Sequence, residues 1–279
     1  KRDSGARKRK RVKNEQKSNS SNSHSSSNNS GNNSQVAEQL ASVLIQVQNT
    51  VAHEKYIGEL ESLLTGNKKA FVGAFQAHVD RLLADAAGGD ELQRLHSFIV
   101  AFATRAKVTR RNGQTNRFGL FLLPHFLQRA DAAEKNVRER ATRLIASIID
   151  ALVAAGDYRD RALFEDLLDV MIRRSEDRVA TVRAGAVRSL RCLQAIGGEP
   201  VARVMREAAQ DLSPQVRLAA VESVHLDSRG VELCIGRVRD IDIDVRKATV
   251  SRLVRSGDKK LRGEQRRQVI AAVLAERDT

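Results

Sequence analysis

The chain is poor in the residues that usually fill one large globular core: it has no Trp, and aromatic residues make up 4% of its 279 positions. Three prolines and two methionines leave few helix breakers and few adaptable gap-fillers. Ala, Leu, Ile and Val dominate the apolar fraction instead, which suits stacked helices better than a single core built on large rings. The two cysteines, Cys192 and Cys234, form no CxxC cluster. Both fall on expected helices and read as core residues, in keeping with a reducing compartment. No secretory signal is visible, and no apolar run reaches the length of a membrane span. The NxS matches at Asn19, Asn28 and Asn32 are what any Ser/Asn tract produces. The opening residue is Lys1 rather than Met, as expected of a fragment or a trimmed chain.

Catalytic and metal-binding patterns are equally sparse. The six histidines, His24, His53, His78, His96, His125 and His225, show neither an HExxH pattern nor pairing with cysteine. GxGxxG, GxxxxGK[ST] and nucleophile-elbow motifs are missing, and the carboxylates fall at helix starts and on solvated faces. The expectation is a protein that is not an enzyme and carries no metal or other cofactor.

Positive charge is what the chain has in excess, with a formal net charge of +14. The first 17 residues carry nine Lys or Arg against two acids, half of the excess. Such a balance favours anionic partners, nucleic acid first and acidic protein segments second. Within this block Arg7, Lys8, Arg9, Lys10, Arg11 and Lys13 have the composition of a nuclear localisation signal or a loose nucleic-acid contact. Residues 18–35 are almost entirely Ser, Asn and Gly. Neither stretch can bury apolar surface, so residues 1–35 are expected to form a disordered tail.

From residue 36 helical periodicity takes over and runs to residue 279. Ala37, Leu40, Val43, Leu44, Val47 and Val51 recur at steps of three and four, a buried helix face. Further helices are expected near 54–65, 68–87, 91–107, 118–129, 135–154, 160–175, 179–195, 200–210, 214–225, 230–238, 243–256 and 263–276. No strand alternation is evident.

One pattern returns four times. Val137, Val182, Val216 and Val245 are each followed by Arg, at 138, 183, 217 and 246. Ala141, Ala186, Ala220 and Thr249 stand four positions on, and Ile145, Leu190, Val224 and Leu253 eight positions on. Large, small and large apolar groups thus share one helix face. Five positions before three of the valines stand Asp177, Asp211 and Asp240, while Asp131 lies one position earlier in its copy. Spacings of 45, 34 and 29 residues suit helical hairpins with variable linkers, each with a face that only a neighbour can cover. The expected fold is all-α, a superhelical solenoid. In that frame the four arginines form a structural ladder between repeats, the aspartates are caps or turn residues, and Ser213 caps a helix whose first turn holds Pro214.

Two charge clusters lie outside the repeat phase. Residues 103–119 place Arg105, Lys107, Arg110, Arg111 and Arg117 at the end of one helix, a loop and the start of the next, with no acid among them. Residues 258–267 gather Lys259, Lys260, Arg262, Arg266 and Arg267 at another turn. A stacked array sets its turns along an edge, so these clusters are candidates to track a phosphate backbone. Without aromatic stacking platforms, a duplex fits better than a single strand. The solvated-loop alternative stays open for each. Phe118, Phe121 and Phe126 are expected in the core before any docking role, and Pro124 to kink its helix.

The runs FLQRADAAEKNVRERATRLIASII at 126–149 and LFEDLLDVMIRRSEDRVATVRAGAVRSLRCLQ at 163–194 closely resemble the N-terminal HEAT repeats of the condensin subunit 3 family. The resemblance continues in order through DLSPQVRLAAVESV, IGRVRDIDIDVRKATVSRLV and QRRQVIAAVLAERD, and covers about residues 38–279. It implies a HEAT-repeat superhelical solenoid, harp-like or horseshoe-shaped. It also implies a non-catalytic condensin subunit that binds a kleisin segment and, with it, double-stranded DNA. The ATPase work belongs to the SMC subunits, the setting is mitotic chromosome condensation, and the location is the nucleus and mitotic chromosomes, with a cytoplasmic phase for part of the cell cycle. Family members are longer, and the chain resembles roughly the first third of one. The alternative is a HEAT-repeat interaction scaffold without DNA binding of its own. A carrier resembling nuclear import receptors fits less well, because such carriers expose acidic inner surfaces to basic cargo.

Overall fold

A computed structural model describes residues 24–50, 52–85, 89–109, 113, 115–156, 161–257 and 261–275. Arg7 to Lys13, Arg110, Arg111, Lys259 and Lys260 lie outside the described residues. The first helices are α1 (His24–Gln48), α2 (Glu54–Gly66), α3 (Lys68–Ala84) and α4 (Asp90–Arg105). A two-stranded hairpin, β1 (Lys107–Thr109) and β2 (Thr115–Arg117), follows. The remainder is helical: α5 (Gly119–Ala130), α6 (Lys135–Ala154), α7 (Arg161–Arg174), α8 (Ala180–Ser189), α9 (Gln194–Ala208), α10 (Pro214–Ser223), α11 (Ser228–Ile235), α12 (Ile243–Arg255) and α13 (Gly263–Ala275).

The four Val-Arg copies open α6, α8, α10 and α12, and these helices pack side by side in chain order. Each also packs on the helix before it, α5, α7, α9 or α11. The result is the expected two-layered HEAT-repeat solenoid. The apolar triplet faces inward at every copy, with Val137, Ala141 and Ile145 in α6 and Val245, Thr249 and Leu253 in α12 all buried. The small middle residue lets helices approach closely, and beside it in α8 Gly185 marks a close contact with α6. A Cβ there would meet the Thr142 hydroxyl of α6 at 2.7 Å.

The few aromatic residues are concentrated rather than spread. Phe71, Phe75, Phe98, Phe102 and Phe118 form one ring cluster between α3, α4 and the base of the hairpin, with centroids 5.3–6.3 Å apart. Phe118 and Phe126 are buried and Phe121 partly so, as core residues should be.

Four local expectations change. The helix α1 begins at His24, so residues 24–35 extend a helix that the sequence pattern starts only at residue 36. The 103–119 stretch contains a hairpin where a loop was expected, with Lys107 opposite Arg117, Val108 opposite Asn116 and Thr109 opposite Thr115. Gly113, at φ 80°, supplies the left-handed turn residue. The expected helix 179–195 stops at Ser189, followed by a single 3-10 turn, and α9 then kinks at Gly198 (φ 53°) before Pro200. Ser213 makes no side-chain cap; the Asp211 carboxylate accepts the Ser213 N–H instead, at 2.8 Å. α5 runs on through Pro124.

Candidate nucleic-acid interface

The repeat arginines sort themselves first. Arg138 donates to Asp177 through Nε (2.8 Å), Arg183 to Asp211 through Nε and Nη2 (both 2.8 Å), and Arg217 to Asp240 through the same pair (2.9 and 2.7 Å). Each guanidinium thus binds the aspartate of the following repeat. Its Nη1 meanwhile donates to carbonyls in the turn of its own repeat, as from Arg217 to Asp211 O and Leu212 O and from Arg246 to Asp240 O and Ile241 O. The aspartates do double duty, since each also accepts the backbone N–H two residues on, from Val179, Ser213 and Asp242. Burial pushes these three carboxyls up, but the arginine forks and turn N–H groups outweigh it and hold them below the usual carboxylate range. The ladder expected from the sequence is therefore present at Arg138, Arg183 and Arg217, and these arginines are structural.

The clusters proposed for phosphate contact are more divided. Arg105, at the end of α4, pairs with Glu54 at the start of α2. Arg117 donates to the Thr104 carbonyl. Arg266 donates through Nε to the Leu261 carbonyl at 3.2 Å, and Arg267 is forked onto Glu264 within α13. The 103–119 stretch holds no acid of its own, yet folding brings one to Arg105, whereas the 258–267 stretch carries the partner of Arg267 within it. Glu54 comes from 51 residues away, and Glu264 sits one helical turn from Arg267. Lys107 and Arg262 are exposed and have no ion-pair partner among the described residues. Nor do the two clusters adjoin. The hairpin packs on α4 and α5, and α13 packs on α11 and α12, four helical hairpins further along.

What the sequence reading missed is Lys68 and Lys69. Asn67 caps α3 by accepting the Ala70 N–H at 3.1 Å, so α3 starts with two exposed lysines. The fold brings this start to the hairpin. Lys68 Nζ donates to Thr109 O at 3.3 Å and lies 4.8 Å from the centre of the Phe121 ring. Lys68 thus sits beside the strand that carries Lys107, with exposed Lys69 next to it in the chain, and Arg110 and Arg111 follow that strand in sequence. A KK pair behind a capping Asn was the available signal, but only tertiary folding joins it to residue 107.

On the exposed side of α6, α8 and α10 runs a groove of about 560 Å³. Its charges alternate and are cross-linked, Arg191 to Asp150 at 2.8 Å and Arg188 to Glu222 at 3.6 Å. It is therefore a poor phosphate track beside the α3–hairpin edge. No helix among the described residues is long and apolar enough to cross a membrane.

No family model matches the chain. It is similar to condensin complex subunit 3 of Schizosaccharomyces pombe, 28% identical over 137 residues, which cover 48% of this chain and 15% of that relative. To condensin complex subunit 3 of Saccharomyces cerevisiae it is 24% identical over 258 residues, covering 81% of this chain and 24% of the relative. The chain therefore spans no more than about a quarter of the length of these curated relatives. The fold is similar to the crystal structure of the S. pombe condensin Cnd3-Cnd2 subcomplex, with a TM-score of 0.71 at 23% identity, covering 83% of this chain and 30% of that one. Sequence and fold together make the chain similar to condensin complex subunit 3, and its fold is that of a HEAT-repeat solenoid.

Proposed function

We propose that this chain is part of a non-catalytic condensin subunit that binds the backbone of double-stranded DNA together with a kleisin subunit, in mitotic chromosome condensation. The observation that carries the DNA half is the edge formed by Lys68, Lys69 and Lys107, three lysines that share no ion pair with the described acids. Ammonium groups on an exposed edge act as point charges for phosphate and release counterions on contact. Arg110 and Arg111, which follow β1 in sequence, are proposed for the same contact, as are Arg105 and Arg117. Lys259, Lys260, Arg262, Arg266 and Arg267 form a second, separate contact. The kleisin half is supported by similarity to a structure that is itself a subcomplex of two condensin subunits. The SMC ATPase subunits enter indirectly, through the same complex. Arg7 to Lys13 support nuclear entry, and the condensin likeness supports a chromosomal location.

A second reading, a HEAT scaffold without DNA binding of its own, is favoured by the paired state of Arg105 and Arg267 and by the balanced groove. Fluorescence anisotropy with duplex DNA across a salt series separates the two. Tail removal is best made before His24, which keeps α1 whole. DNA binding by the tail-less chain should persist, and Lys68→Glu/Lys69→Glu/Lys107→Glu should weaken it at least tenfold, lowering the log–log salt slope by about 3. Unchanged helicity checks the fold. Binding lost with the tail, or indifferent to the triple reversal, leaves the scaffold reading.

A further inference from the structure

The hairpin carries more than charge. Residues two apart on a strand share a face, so its exposed side presents Lys107 and Thr109 from β1 and Thr115 and Arg117 from β2, while Val108 and Asn116 turn inward and are buried. The hydroxyls of Thr109 and Thr115 meet across the pair at 3.1 Å. Thr109 is exposed and extended, its carbonyl accepting the Lys68 ammonium. In sequence it has Lys107 two residues before it and Arg110 and Arg111 directly after, with no acid between residues 103 and 119. An exposed, extended threonine in a basic flanking sequence without acids is what an acidic kinase cleft selects by charge pattern.

We propose that Thr109 is a phosphorylation site for a protein kinase directed to basic-flanked threonines, and that its modification closes the Lys68–Lys69–Lys107 edge to DNA. The second half rests on the DNA reading above. In the transfer, Thr109 Oγ1 forms a bond to the γ-phosphorus of ATP. The bond from that phosphorus to the β,γ-bridging oxygen breaks with its electrons on ADP, and the hydroxyl proton passes to the kinase base. The product places about −1.5 to −2 charges at Thr109. Lys107 stands on the same strand face, and Lys68 already touches the Thr109 backbone. These lysines then hold the chain's own phosphate through charge-assisted hydrogen bonds in place of a DNA phosphate. Thr115 is the less suited acceptor, because Gln114 and Asn116 flank it.

The test treats the whole chain with Mg-ATP and the catalytic fragment of protein kinase C, a basic-residue-directed enzyme. Thr109→Ala and Thr115→Ala run in parallel, with sites mapped by tandem mass spectrometry. Duplex binding is then followed by anisotropy. The expected result is a phosphate on Thr109, absent only in Thr109→Ala. Affinity of the modified chain should fall more than tenfold at about 0.1 M salt, with the salt slope lower by about 2. Kinase-treated Thr109→Ala keeps every other acceptor and should bind as untreated protein does. No phosphate at Thr109 overturns the site. Phosphate there with unchanged affinity overturns the closure. An untreated chain that fails to bind DNA overturns the DNA reading and the closure with it, while the mass spectrum still decides the site.

Discussion

Asp240→Ala should detach the last repeats from the rest of the solenoid. The carboxylate accepts two bonds from Arg217 of the preceding repeat, a 2.9 Å bond from the Asp242 N–H and a 3.4 Å bond from Arg237. Side-chain exposure is 6% for Arg217 and 1% for Asp240. Arg217 cannot lose its proton, so the substitution strands a buried charge whose remaining partners are the carbonyls of Asp211 and Leu212. Breaking a buried pair from one side costs about 3–5 kcal/mol. The preceding rung gives an internal control. Arg183 and Asp211 are 19% and 15% exposed, so water can reach the stranded guanidinium, and Asp211→Ala should cost about 2 kcal/mol. Arg217→Leu/Asp240→Leu, which removes both charges, should be less unstable than Asp240→Ala alone. The chain has no Trp, so urea unfolding is followed by far-ultraviolet circular dichroism, with hydrogen exchange locating the opening. Protection should fall first in α11, α12 and α13 while α5 to α8 keep theirs, because a solenoid couples only neighbours. A cost below about 1 kcal/mol for Asp240→Ala, the scale of a surface pair, or an equal cost at Asp211, refutes the buried-ladder account.

Acid should destabilise the protein in two stages. Burial, with Arg143 nearby, pushes His96 down to about 4. The unfolded imidazole titrates near 6.5, so the unfolded chain binds the extra proton and roughly 2–4 kcal/mol is lost as pH falls from about 6.5 to 4. His96→Gln should remove this stage in urea midpoints, and its persistence would refute the assignment. The second stage belongs to Asp177, Asp211 and Asp240, whose folded values are depressed. Their contribution is complete above the unfolded value near 3.9 and disappears as pH falls below it. Gly185→Ala should cost about 1–3 kcal/mol, since its Cβ meets the buried Thr142 hydroxyl at 2.7 Å; a neutral result in the same urea series would show that α6 and α8 can separate freely. Cys192 is pushed up to about 11 by burial and by Asp150, and Cys234 to about 11 by burial. Both thiols should alkylate at neutral pH only after unfolding, and rapid labelling of Cys192 in the folded chain would contradict its contact with Asp150.

The ladder could be read from the sequence because a rung is written twice: an Arg after each Val and an Asp five residues before the next copy's Val. Repetition stands in for tertiary information, since each repeat meets its neighbour in the same way. The hairpin had no such support. Each strand is three residues long with a single inward apolar or amide side chain, too short for alternation to show. The Asn112-Gly113 dipeptide was the one local turn signal. The ion pairs that divide the two clusters are of a third kind. Glu54 reaches Arg105 across 51 residues and outside any repeat, so no spacing rule exposes it.

These cases give a rule for reading charge in a solenoid. Net charge counts every arginine alike, yet Arg138, Arg183 and Arg217 are consumed by the ladder and add little to the field a ligand meets. A cation in phase with the repeat, with an acid waiting in the next copy, is part of the scaffold. One out of phase has no rung to fill: Arg105 and Arg267 find other acids, whereas Lys68, Lys69 and Lys107 pair with no acid among the described residues. The same logic separates lysine from arginine here. The planar fork spans an aspartate and the turn carbonyls behind it, which is what a rung requires. An ammonium group cannot make that fork, and lysines appear where a mobile point charge at the surface suffices. Replacing Arg217 by Lys should therefore weaken the ladder although the charge is kept, while Lys68→Arg should leave unchanged whatever duplex affinity the parent chain shows by anisotropy.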